Sequence, residues 1–195
     1  MERTISVGRT GPPLWLRAAA WLFLAWWTVR SGLTGHWIFL DFANLAFHEA
    51  GHVFLGFAGT TVRYLGGTLG QLLVPALLVF HFLVRQRQPV GAAFCLWWLG
   101  QSFGQVAVYM ADARDLALPL VGGGDHDWNE LFFRFGILDA PSVARIAGAT
   151  RALGVLVMLA GLAWTGWFAL PAGERQRLRE RLIARHGWLG PVLGG

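Results

Sequence analysis

No charged residue stands between Arg87 and Asp112. A helix needs ~20 apolar residues to cross the ~30 Å hydrocarbon layer of a bilayer, and the stretch 90–111 supplies them. Comparable apolar runs occupy 14–33, 37–59, 65–84 and 152–170. Charged residues are only 14% of the chain and hydrophobic ones 55%, whereas a soluble domain carries about 25% charge. The expected fold is therefore all-α: a polytopic membrane helix bundle of about five transmembrane helices, with residues 1–195 as a single integral membrane domain.

The spans differ in detail. In the first, Arg17 and Arg30 lie near the ends, where they can snorkel, and Trp15, Trp26 and Trp27 suit an interfacial belt. Pro75 is expected to kink the third. Cys95 excludes an internal disulfide, because it is the only cysteine; within an apolar run it reads as a packing thiol. Gly100 and Gly104 allow another backbone to approach the fourth span closely. "TTVRYL", Thr60 to Leu65, alternates and is β-branched, so a short membrane-edge strand or an ordinary loop is expected there. The long segment 112–142 is broken by Gly122 to Gly124. It is apolar enough before the glycines to be re-entrant, and a short helix capped near Asp125 or Asp127 should follow.

All 16 basic residues are arginine and the net charge is +5, a usage that points weakly to a bacterial source and thus to a bacterial cytoplasmic membrane. The arginines crowd into 173–188, where Leu178, Leu182 and Ile183 can share a helix face. Such a tail beside a span suits anionic lipid. No nucleic-acid motif accompanies it, so nucleic acid is not an expected partner. With five spans, "RQRQ" and the tail fall on one side, taken as cytoplasmic. The N-terminus and the 112–142 loop fall on the other, although Arg3, Arg9 and Arg17 oppose that placement.

Chemistry concentrates in "FHEAGH". His48 and His52 are one helical turn apart, on one face, and Glu49 is turned about 100° from His48. Two imidazoles at this spacing bind Zn²⁺, and the glutamate is placed as general base for a water whose pKa the metal lowers to about 7. An ionisable residue at mid-membrane costs ~2.5–3.5 kcal/mol, so three within five residues mark function rather than packing. Asp41 and Asn44 extend the same face. Gln101, Gln105 and Asp112 form a stripe on the fourth span, with Tyr109 nearby. Asn44, Gln101 and Gln105 are candidate lining residues of a polar cleft, although a membrane glutamine also serves as interhelical glue. Gln71 and His81 read as packing and interface residues. A catalytic zinc keeps three protein ligands. Asp112, continuing the glutamine stripe, is the preferred third ligand, with Asp127 and His126 as alternatives.

Over Asn44 to Leu78 the chain resembles the site-2 protease family of intramembrane zinc metalloproteases. The resemblance rests on Phe47-His48-Glu49-Ala50-Gly51-His52, the small-residue segment "GFAGTTVRYLGGTLGQ" and the apolar span containing Pro75. It implies that His48 and His52 are zinc ligands, that Glu49 is the base, and that a membrane protein is cut in or near a transmembrane segment. The family's third ligand is commonly an aspartate in an Asp-Gly pair, which this chain lacks; "MADA" is similar instead to a Ser-Asp-Ala element of some small bacterial members. Rival readings are a zinc-binding membrane transporter or scaffold, and a zinc hydrolase acting on a lipid-like substrate. A transport site has no need of a glutamate beside its histidines.

Overall fold

Small residues decide which helices touch. The computed structural model describes residues 12–33, 39–121 and 124–185. Its helices are α1 (Leu14–Trp27), α2 (Phe39–Leu55), α3 (Thr60–Phe80), α4 (Pro89–Ala111), α5 (Asp127–Arg134), α6 (Ala140–Ala169) and α7 (Ala172–Arg185). Wide π turns extend α1 to Leu33 and α3 to Arg85. A methyl group added to Gly51 would run into the Gly66 carbonyl, so α2 lies directly on α3. One added to Gly100 would strike the Met158 amide, and one on Gly161 the Trp97 amide, so α4 lies on α6 with equal closeness. Contacts of α3 with α4 join the two pairs.

The fold is all-helical, and among the described residues there is no strand. Thr60 to Leu65 form the first turns of α3 rather than an edge strand. The β-branched residues suit a strand only weakly. The glycine face that follows packs on α2 as a helix, and Tyr64 at the helix start is buried in a cluster with residues of α4, α5 and α6. Gly59 (φ +103°) makes the break before it. Pro75 lies buried within α3, which continues past it. The short helix after the glycines is α5, and its cap is His126, whose Nδ1 accepts from the Asn129 amide.

The first two helices do not form a hairpin. Arg17, near the start of α1, donates to the Phe168 and Leu170 carbonyls at the end of α6, and Trp21 Nε1 donates to the Leu162 carbonyl (2.9 Å). Thus α1 is antiparallel to α6. So is α4, whose Trp97 meets Gly161 and whose Gly104 meets Gly154. Meanwhile α2 runs parallel to α4, since Asp41 and Asn44 bond to Gln101 while His48 lies against Tyr109. It follows that α1 and α2 run in the same direction. They meet around Trp97 and Trp98, against which Leu24, Trp27, Leu40 and Ala43 pack. A hydrogen bond from Trp97 Nε1 to Thr28 Oγ1 (2.7 Å) fixes the end of α1 at that level. α1 accompanies the first half of α4, and α2 the second.

The start of α1, the turn 85–88 and the end of α6 therefore share one end of the bundle. The end of α2, the start of α3, the end of α4 and α5 share the other. Thr60–Arg85 and Ala140–Ala169 are long and apolar enough to cross a membrane. Burial is inverted relative to a soluble protein: Asp41, Asn44 and Gln101 are at most 2% exposed, whereas Phe42, Phe54, Phe80 and Leu156 are at least 60% exposed.

Candidate metal centre

Glycine and glutamine on α3 place His48. Gly67 leaves the space that the His48 ring fills; a side chain there would collide with the imidazole. One turn on, Gln71 Oε1 lies 3.0 Å from His48 Nδ1, and its own Nε2 donates to the Ser102 carbonyl (3.3 Å). The second bond fixes the amide orientation, so His48 Nδ1–H must donate to Gln71. Similarly, His52 Nδ1–H donates to the Arg63 carbonyl at 2.7 Å. Both histidines are thus held in the tautomer that leaves Nε2 with a lone pair.

Both Nε2 atoms face one carboxylate oxygen. Asp127 Oδ2 is 2.9 Å from His48 Nε2 and 3.2 Å from His52 Nε2. Ligand atoms of the three residues lie within 4.8 Å of one another and could hold a metal ion. With zinc–ligand distances of about 2.0–2.1 Å, tetrahedral neighbours stand roughly 3.3 Å apart, close to the two histidine–aspartate separations here. Three acceptors so arranged repel unless a cation or an added proton lies among them, and the two Nδ1 bonds already fix the ring protons elsewhere. The donor set suits a small divalent cation.

Asp112 does not join the pair; Asp127, the expected alternative, does. Asp112 terminates α4, and its two oxygens accept from the Ala117 and Leu118 amides (3.0 and 3.1 Å). This spends the carboxylate on turning the chain. His126 does not join them either: Nδ1 caps α5, and Nε2 lies 3.4 Å from Asp112 Oδ2 without a hydrogen bond. Burial lowers the His126 pKa despite the acidic neighbour, so the ring is neutral in this role.

A cavity of about 590 Å³ adjoins the cluster. Glu49, exposed, lines it with His48, His52 and Asp127, and so do Gln105 and Tyr109. Leu118 to Val121 supply an apolar wall. Asn44 and Gln101, expected in the cleft, are elsewhere. Asn44 Nδ2 donates to Gln101 Oε1 (2.8 Å) and its Oδ1 accepts from Trp98 and Ser102 (2.8 and 3.0 Å), with Gln101 bonded in turn to Asp41. They are a sealed seam between α2 and α4. His81 stands far along α3 with Gln86 (3.3 Å).

The supporting role of Gln71 was missed from sequence. A signal existed: Gly67 and Gln71 are one turn apart on a face, a gap followed by a polar group, which suits an incoming ring. Tyr109 is more than a neighbour of the glutamine stripe. Its hydroxyl accepts from the Asp127 amide (3.2 Å), and its ring lies 4.1 Å from that of His126 and 5.7 Å from that of His48, centre to centre. Comparison with protein-family models, curated proteins and solved structures gives no match for this chain.

Proposed function

We propose that the protein is a membrane-embedded zinc metallopeptidase that hydrolyses a peptide bond in or near a transmembrane segment of another protein. The observation that carries the reading is the convergence of His48 Nε2, His52 Nε2 and the Asp127 carboxylate on one point beside a cavity that Glu49 also lines. A zinc ion held there supplies Lewis acidity and lowers the pKa of a water molecule. Glu49 takes the proton as water adds to the carbonyl carbon, then delivers it to the amide nitrogen as the C–N bond breaks. The apolar wall at Leu118–Val121 suits a hydrophobic substrate segment.

The inverted burial supports a bilayer setting, because exposed aromatic and aliphatic side chains on so many helices have no other favourable solvent. The helix directions favour four crossings rather than five, with α1 and α2 in series as one. On that arrangement Arg17, Arg85, Arg87 and the α7 arginines all lie at one end, which the excess of positive charge marks as cytoplasmic. The opposition raised by Arg17 in a five-span layout disappears. The metal cluster then lies toward the extracytoplasmic end, level with Tyr109 near the close of α4. The exposed basic helix α7 would rest on anionic lipid at the cytoplasmic face.

The test is metal analysis of detergent-purified protein together with a cleavage assay on single-span membrane proteins. Wild type should hold about one zinc per chain, and Glu49→Gln should keep the zinc and lose cleavage, because an amide cannot take the proton. Undiminished cleavage by the Gln variant would remove Glu49 from the mechanism. Zinc without any cleavage in wild type would favour a transporter or scaffold.

A further inference from the structure

We propose that Tyr109 is a catalytic residue whose phenolic O–H donates a hydrogen bond to the carbonyl oxygen of the bond being cut. The inference rests on the hydrolase reading above and adds a residue to it.

The hydroxyl of Tyr109 accepts from the Asp127 amide. That contact occupies a lone pair and leaves the phenolic hydrogen unused, since a phenol is both donor and acceptor and keeps its proton at neutral pH. Among the described residues, no hydrogen bond takes that hydrogen. The residue lines the same cavity as Glu49 and the His48, His52 and Asp127 cluster. The Asp127 amide uses the hydroxyl oxygen, but ring packing gives the phenolic hydrogen no task, since a phenylalanine ring would meet His48 and His126 equally well. The side chain is also held on three sides, by two imidazole rings and by the amide of a proposed ligand. A donor fixed in this way needs no reorganisation when charge develops opposite it.

In the reaction, water oxygen forms a bond to the carbonyl carbon, and the carbonyl π pair moves onto oxygen. Tyr109 O–H stabilises that charge without giving up its proton. One proton from water passes through Glu49 to the nitrogen, the C–N bond breaks, and a carboxylic acid and an amine leave, the acid then passing its proton to the amine. The hydrogen bond strengthens as the oxygen gains charge, so it lowers the barrier more than it tightens the ground state.

The experiment compares wild type with Tyr109→Phe as full-length, detergent-solubilised, zinc-loaded protein. Zinc content is measured first. Binding of a phosphinic dipeptide, whose tetrahedral anion imitates the charged oxygen, is then measured by calorimetry. The expected result is zinc affinity within about threefold of wild type and phosphinic-peptide affinity about 10- to 100-fold weaker, the size of a lost hydrogen bond to a charged group. Equal phosphinic-peptide binding by both proteins overturns the role of Tyr109 and leaves the hydrolase reading standing. Loss of zinc in the variant also overturns it, showing that Tyr109 merely positions Asp127. A wild type that binds no zinc, or binds zinc and ignores the phosphinic peptide, removes the hydrolase reading and this role together.

Discussion

Two buried polar clusters sit one above the other along α2, and they use their hydrogen bonds differently. In the lower one, around Asn44, donors meet acceptors throughout: Trp98, Ser102, Gln101 and Asp41 close the network. In the upper one, His48 and His52 have their Nδ1 atoms matched to oxygens and their Nε2 atoms turned on a carboxylate. The first cluster is complete as it stands. The second has an excess of acceptors and a cavity beside it. Polarity inside an apolar bundle therefore does not by itself mark a site; an unbalanced set of donors and acceptors does.

Breaking the upper cluster should have the largest effect. His48→Ala with His52→Ala, or Asp127→Ala alone, should abolish measurable zinc binding, whereas Asp112→Ala should bind zinc like wild type. Metal titration of the purified variants decides it, and the reverse pattern for the two aspartates would return the third ligand to the end of α4. Residues that touch no metal come next. Gly67→Ala drives a methyl group into the His48 ring, and Gln71→Leu removes the partner that sets its tautomer. Each should weaken zinc affinity about 10- to 100-fold, the usual range for outer partners of a ligand. Unchanged affinity in both would show that His48 is oriented by something else.

Cutting the lower seam should separate the two regions. Asn44→Ala leaves the buried Trp98 Nε1 and Gln101 Oε1 unpaired, at about 1–3 kcal/mol for an unsatisfied group. Thermal stability of the zinc-free protein should fall while zinc stoichiometry stays at wild type. A loss of zinc instead would mean that the seam and the site are one unit. The smallest change belongs to Arg17→Gln, which removes a cap from the end of α6. Its expected cost is about 1 kcal/mol or less, seen as a small drop in melting temperature with zinc binding intact.

Much of this was legible in the sequence, for definite reasons. Apolar runs located the long helices, because a span has a minimum length and charges bound it. His48, Glu49 and His52 stood out through spacing on one helix, a local relation. What sequence could not supply was relations between helices. Whether the runs at 14–33 and 37–59 turn back or continue depends on Arg17 reaching the carbonyls of α6, more than a hundred residues away. The choice of Asp112 followed the stripe on α4 and overlooked a local demand: the amides of Ala117 and Leu118 needed an acceptor where the helix ended. Asp127 was harder to favour because its depth is set by α5 and the turn before it.

The position of Asp127 has one more consequence. His48 and Asp127 are 79 residues apart in the chain, on α2 and on the short α5. A cation gripped by both is a cross-link as well as a reagent, closing a loop that contains α3 and α4. By the loop-entropy measure used for disulfides, such a closure restricts the unfolded chain by about 4–5 kcal/mol. If the proposed metal is bound, a chelator would then do more than remove it: it would unfasten α5 from the bundle and open its ends to proteases. The amount of protein in the cell would follow the supply of zinc, by mass action alone.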